Sequence, residues 1–391
     1  MKLSRNLPHP TRRDAWLTVD LDALEQNARC IRRVIPQQHA AMAVIKADAY
    51  GHGAVMTLPT LLSAGFTQFG VASADEALQI REANSNAPLL VLGPTPDWAM
   101  DLAIRQQIQL TIFDAHHLEA LANCFQNAGT LMLPARVHLK IDTGMHRIGL
   151  PWQAAARFYA QACQQNGLEV IGLMTHLAAP EHTGITRQQL ERWQHVLSEI
   201  QAMSLPLPSV RHISNSTGVI LNAAMDDALN TNMVRIGLPL FGYGPAPAGE
   251  TLRPVMGLKA RVAHLQTLPF GEGVSYGHTY ATTQPETRLA TLPLGYADGL
   301  PRRLSGKLSA VLQGMPVAQV GLITMDQFML DVSAVPQVQL GDTVTLLGRP
   351  EMGEPSLETW LKALNDDTIA YELMCALRVR LPRTYIRTGL L

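Results

Sequence analysis

Cysteine and charge are both scarce in this chain. Four cysteines stand among 391 residues, at Cys30, Cys124, Cys163 and Cys375, with no CxxC pairing. That scatter excludes a disulfide framework and a cysteine-built zinc site, leaving reduced and mostly packed thiols. Asp, Glu, Lys and Arg together make up 16%, against about 25% in an ordinary soluble domain. A chain so poor in charge buries extra surface, either in a large core or against another copy. The net charge is -1 and no lysine–arginine run stands out, so no nucleic-acid partner is expected. No apolar run approaches the ~20 residues of a membrane span. The segment Met1 to Arg13 is polar, with prolines and arginines and no apolar stretch, so a secretory signal is not expected and a cytoplasmic location is. Low-complexity tracts and repeats of fixed period are also missing.

What is present is length and pattern. A chain of 391 residues exceeds one ordinary core, so two domains are expected. From Leu17 to Tyr243 short apolar runs alternate with longer amphipathic ones. The strand-like runs are Ala41–Ile45, Phe69–Ala72, Leu89–Leu92, Leu110–Phe113, Val137–Ile141, Val170–Met174, Ser209–Ile213 and Met233–Gly237. Helix-like segments lie between them, such as Ala74–Ala83, His116–Asn127, Pro151–Gln165 and Arg187–Met203. Eight such alternations favour a (β/α)8 barrel over an open doubly wound sheet, although counting alone does not close a barrel. After Pro245 the pattern becomes strands joined by Gly, Pro and Asp turns: Val262–Leu268, Thr287–Leu292, Leu308–Leu312, Val317–Ile323, Phe328–Val332 and Thr343–Leu347. A helical piece at Leu357–Leu364 and an apolar return at Leu377–Leu381 follow. The expected division is a barrel over 14–245 and a mostly β domain over 246–391, joined by the N-terminal segment 1–13.

Several barrel runs end in groups useful to chemistry, and barrel active sites form at the carboxyl ends of strands. Lys46 ends the first run, in Val44-Ile45-Lys46-Ala47-Asp48-Ala49-Tyr50-Gly51-His52-Gly53. A lysine there is either solvated or an amine tuned by its pocket for covalent catalysis. Lys140 and Asp142 share a strand face and fit either an ion pair or a site. His176 follows Thr175 at another strand end, where a structural histidine is the commoner case. Zinc held by His176, Glu181 and His182 is a poor reading, because they sit on an expected loop with no second cluster. His116 and His117 read as an exposed helix start. Ser216, with the amides of Gly237 and Leu238, comes from the last two strands, which commonly bind phosphate. The loop Gly271-Glu272-Gly273-Val274-Ser275-Tyr276-Gly277 is by itself a turn with one tyrosine.

Taken together, and in this order, these motifs closely resemble those of alanine racemases, from Leu17 to Arg383. The resemblance implies an isomerase on a barrel plus a β domain that uses pyridoxal 5'-phosphate to interconvert L- and D-alanine, a small-molecule substrate, supplying D-alanine for peptidoglycan. It implies that Lys46 bonds covalently to the cofactor and that Tyr50, Asn215, Ser216, Gly237, Leu238 and Tyr371 surround it, most of them at its phosphate. In Val137-His138-Leu139-Lys140-Ile141-Asp142-Thr143-Gly144-Met145-His146-Arg147, Arg147 would reach the phenolic oxygen and the substrate carboxylate. Lys140 would support Arg147, carbamylated in many family members. His146 stands where the family has a small residue and reads as a surface or supporting group. His176 would pack on the ring and Arg235 would face its nitrogen. Tyr276 would be the second proton-transfer group, opposed to Lys46 and donated across a homodimer interface. Tyr296 and Tyr371 would narrow the substrate channel. In Gly321-Leu322-Ile323-Thr324-Met325-Asp326-Gln327, Met325 would offer its N–H to the substrate carboxylate and Asp326 would orient neighbours. Leu322, Thr324 and Ala370 depart from the family, which more often has arginine, cysteine and asparagine there. These departures bear on substrate breadth. Alternatives are a racemase of broader specificity that takes serine, and a decarboxylase of basic amino acids. A cation at Arg235 and the two tyrosine motifs argue against the latter, and the full second domain argues against a non-catalytic cofactor carrier.

Overall fold

A computed structural model describes residues 13–389 apart from 84, 129–132, 222–228, 378–379 and 388. All eight expected barrel strands form, at Ala40–Val44, Gln68–Val71, Leu89–Val91, Leu110–Ile112, Ala135–Asp142, Leu168–Met174, Val210–His212 and Met233–Ile236. Each pairs in parallel with its neighbour, and Met233–Ile236 returns to pair with Ala40–Val44. The ring closes through a parallel bridge between Leu90 and Gln109, so the sheet is a barrel and not an open sheet. Apolar side chains fill it because strands covered by helices on the outside face a packed interior on the other side. Met42, Leu90, Met174 and Met233 form one such internal cluster.

The second domain is a nine-stranded sheet, largely antiparallel. Its strands include Met256–Arg261, His264–Pro269, Glu286–Leu292, Ser309–Leu312, Met315–Val320, Phe328–Asp331 and Thr343–Leu347. One of its members comes from outside the expected span. Ala15–Asp20 pairs antiparallel with Met256–Arg261 and parallel with Arg383–Ile386. The first described strand therefore belongs to the second sheet, and only then does the chain enter the barrel through the helix Leu21–Val34. The expected join by 1–13 lies outside the described residues except for Arg13, which pairs with the buried carboxylate of Asp298. No strand forms among the described residues of Leu377–Leu381; the returning strand is Arg383–Ile386. No helix among the described residues is long and apolar enough to cross a membrane.

Candidate active site

The strand Ala40–Val44 runs into a turn of unusual hand. Ala47, Asp48, Ala49 and Tyr50 have φ of 53°, 55°, 56° and 53°. Four successive non-glycine residues in the left-handed region cost on the order of 1–3 kcal/mol each, so neighbours must impose the turn. The Glu76 carboxylate accepts from Ala47 N at 2.7 Å and from Ala72 N at 2.8 Å. Asp48 accepts from Ala54 N at 2.8 Å and pairs with Arg383 at 3.0 Å, while Arg383 Nε donates to Gly51 O at 2.7 Å. Gly51, with φ of 84°, ends the turn; a Cβ there would sit 2.7 Å from Met374 O. The helix Ala370–Ala376 packs at that point. The turn thereby brings Lys46 and Tyr50, four residues apart, to one cavity.

That cavity has a volume of about 680 Å³ and lies at the carboxyl ends of the barrel strands. Lys46, Tyr50, Lys140, Arg147, His176, Asn215, Ser216, Arg235, Gly237 and Tyr371 all line it. Among the described residues that line it, four side chains are basic and none is a carboxylate. Asp142, the nearby acid, spends its oxygens on Gly144 N, His146 N and His146 Nδ1. His146 itself is largely exposed. Lys140 is buried, and burial, followed by Arg235 and Arg147, holds its amine well below the ordinary lysine range. The cavity therefore suits an anionic ligand.

At one end Gly237 N donates to Ser216 Oγ at 3.0 Å. A Cβ on Gly237 would lie 2.6 Å from the Tyr50 hydroxyl, so glycine opens a cradle between amide, hydroxyl and phenol. Leu238 puts its side chain into the core while its backbone starts a short 3-10 turn. Tyr371 tilts against Tyr50 with ring centroids 5.6 Å apart.

Arg235, two residues before Gly237, is buried. It donates to His212 Nδ1 at 2.7 Å, Thr175 O at 2.8 Å, Ile213 O at 2.9 Å and His176 Nδ1 at 3.1 Å. Burial lowers its pKa to about 10, which leaves it charged at neutral pH. His176 is pushed down to about 2, first by burial and then by Arg235, so it is a neutral imidazole.

Tyr276, Tyr296, Met325 and Asp326 do not line this cavity. They sit on adjoining loops of the second domain. Ser275 Oγ donates to Leu322 O at 2.8 Å, Tyr296 N to Thr324 O at 3.0 Å, and Arg380 to Asp326 at 2.7 Å. The Thr324 hydroxyl donates to Gln327 O at 2.7 Å and closes the Met325 turn. Tyr276 is 73% exposed and Met325 53%. Both loops thus carry large apolar side chains at the surface.

Glu76 and Asp48 escaped the sequence reading, and Arg383 reads there only as structural. Ser73-Ala-Asp-Glu76 carries the S-x-x-E pattern of a helix start, and Ser73 does accept from Glu76 N, but nothing local announces that the carboxylate reaches Ala47. His117 corrects the expectation of an exposed pair: it is buried and bonded to Asp114 at 2.5 Å, while His116 is exposed.

Two predictions arise from this geometry. Glu76→Gln replaces one acceptor by a donor facing an amide. It should cost about 1.5–3 kcal/mol, read as a lower denaturation midpoint than that of the exposed control Glu82→Gln. The second concerns acid. Burial lowers His52 to about 4 and His138 to about 3, from an ordinary 6.5. Below pH 6.5 the unfolded chain takes up protons that the fold refuses, so stability should fall as pH drops through that window. Denaturant midpoints measured between pH 7 and 4 would refute this by staying level.

Known proteins resemble this chain throughout. The family model described as alanine racemase, N-terminal domain, matches residues 19–245, and that for the C-terminal domain matches 255–385. The alanine racemase of Nostoc sp. is 39% identical over 375 residues, 94% of this chain and 95% of the relative. That of Symbiobacterium thermophilum is 39% identical over 378 residues, 95% and 97% of the two chains. The crystal structure of alanine racemase from Bacillus anthracis with bound L-Ala-P superposes with a TM-score of 0.86 at 32% identity, covering 97% of each chain. That from the D-cycloserine producer Streptomyces lavendulae gives 0.85 at 34%, covering 96% and 98%. With two family models spanning the barrel and the β domain in order, the chain belongs to the alanine racemase family.

Proposed function

We propose that this protein interconverts L- and D-alanine with pyridoxal 5'-phosphate as its cofactor, using Lys46 and Tyr276 as opposed proton-transfer groups in a homodimer, and so supplies D-alanine for peptidoglycan. The observation that carries the reading is the cavity: a lysine at a strand end beside three further basic groups, with no carboxylate among the described lining residues. A phosphorylated, anionic aldehyde fits that donor set. Ser216, Gly237, Tyr50, Asn215 and Tyr371 would hold the phosphate end, with Leu238 contributing backbone. Arg147 would take the phenolic side, supported by Lys140, and Arg235 the ring nitrogen, with His176 on the ring face. When bound, the cofactor draws electron density from the substrate's Cα and weakens its Cα–H bond.

The chain's own groups do the rest. The Lys46 amine would exchange a proton with one face of Cα. A phenol of pKa ~10 needs help to act near neutrality, and the path from His176 to the fixed charge of Arg235 offers it to Tyr276. The Met325 N–H and Arg147 would orient the substrate carboxylate, and Tyr296 would narrow the approach. Tyr276 and Met325 lie outside the cavity of their own chain, which supports a second copy completing each site. We take the barrel domain to end near residue 245 and the β domain to include the N-terminal strand.

A cation facing the ring nitrogen opposes its protonation, because like charges at close range are costly when desolvated. Arg235→Glu should therefore lower racemisation and raise transamination, measured as pyruvate release per D-alanine formed. An unchanged ratio would remove the restraining role from Arg235. The function itself is tested by incubating cofactor-loaded protein with pure L-alanine, L-serine or L-lysine and reading chirality and CO2. Near-equal D- and L-alanine, formed well before the others react, is expected. Serine racemised as readily, or CO2 from lysine, would replace the alanine reading.

A further inference from the structure

The floor of the barrel is wired to the cavity. Arginine donates and never accepts, so His212 Nδ1, 2.7 Å from Arg235, must be unprotonated. The His212 proton then sits on Nε2, which faces His138 Nδ1 at 3.0 Å. His138 Nδ1 must accept, so its own proton sits on Nε2 and is donated to Gln109 Oε1 at 3.1 Å. Arg235 also imposes an unprotonated Nδ1 on His176. One assignment satisfies every member. Reversing Gln109 or either ring sets donor against donor at one link, and a buried network with an unmet donor is costly.

The chain is built, and it is remote. Gln109, His138, His212 and Arg235 are all buried, and each comes from a different barrel strand or strand start. Gln109 precedes its strand, at the end of the barrel away from the cavity, where it also makes the bridge that closes the ring. Room for the His138 ring is provided by Gly172 on the next strand, whose Cβ would lie 2.1 Å from Nδ1. The basic groups acting on these rings are Arg136, Arg235 and Lys140, and they oppose a second proton on either histidine.

We infer that Gln109, His138 and His212 are positioning residues, a one-way hydrogen-bond chain that holds the Arg235 guanidinium in one orientation and fixes the His176 tautomer from the barrel floor. This rests on the cofactor reading only for its effect on catalysis, since the proton positions are a property of the protein alone.

The test is long-range proton–nitrogen correlation spectroscopy on histidine-labelled protein, with and without pyridoxal phosphate, from pH 5.5 to 8. Neutral rings protonated on Nε2 are expected for His138, His176 and His212 throughout. A charged ring, or a proton on His212 Nδ1, would overturn the chain whatever reaction the enzyme catalyses. Gln109→Leu removes the terminal acceptor far from the cavity. It should leave the His138 Nε2–H without its acceptor and lower kcat roughly two- to tenfold, the worth of one hydrogen bond, with KM unchanged. Gln109→Met should behave alike. A shifted His138 Nε2–H resonance with an unchanged kcat would overturn the positioning role.

Discussion

Lys46→Ala is expected to abolish racemisation, by at least roughly 10⁴-fold, because one amine both anchors the cofactor and moves a proton. The side chain is exposed at the cavity mouth, and the turn that follows it is held by Glu76, Asp48 and Arg383 rather than by the lysine. Its removal should leave the cofactor-free protein within about 0.5 kcal/mol of its original stability, as for other exposed positions. The variant should also lose the visible absorbance of covalently bound pyridoxal phosphate. Chiral chromatography of alanine and an absorbance spectrum settle both points, and full turnover by the variant would take Lys46 out of the reaction.

Tyr276→Phe is expected to reduce turnover by about 10²–10⁴-fold, the range for a positioned proton-transfer group. Its effect should be lopsided. If Tyr276 serves one face of Cα and Lys46 the other, solvent isotope effects in the variant should differ between the L-to-D and D-to-L directions. Small equal effects would count against two opposed groups. The same variant tests the homodimer. Tyr276 stands 73% exposed and away from its own cavity, so each site should draw its lysine from one copy and its tyrosine from the other. Mixing inactive Lys46→Ala with nearly inactive Tyr276→Phe and allowing exchange should then restore about a quarter of full activity, since half the dimers would be mixed and each would hold one intact site. No recovery after verified exchange would place both groups of a site on one chain.

Much of the fold was legible because it rests on local pattern. Every barrel strand was visible as an apolar run, since strands buried on both faces need continuous hydrophobicity. The turns of the second domain were marked by Gly, Pro and Asp. Three strands of the second sheet escaped notice: Ala15–Asp20, Met256–Arg261 and Arg383–Ile386. Each carries Asp, Lys or Arg. None can be recognised apart from the others, because they pair across more than the length of the barrel.

The site divides along the same line. Lys46, Tyr50, Arg147, His176, Ser216, Arg235 and Tyr371 could be singled out in the sequence, because each sits in a short motif at a strand end or loop, and the structure brings them to one cavity. Glu76 at Ala47 N, Arg383 at Asp48 and Gln109 at His138 could not. Their partners lie 29 to 335 positions away in the chain, and no local propensity favours a left-handed turn at Ala47–Tyr50; it is imposed from outside. The sequence by itself determined which segments become the barrel strands, which residue types meet at the barrel mouth, and the family. Only the tertiary structure decided the hand of the lysine turn, the proton positions along the buried histidines and the outward placement of Tyr276. Those depend on hydrogen-bond partners and packing that exist only once the barrel has closed.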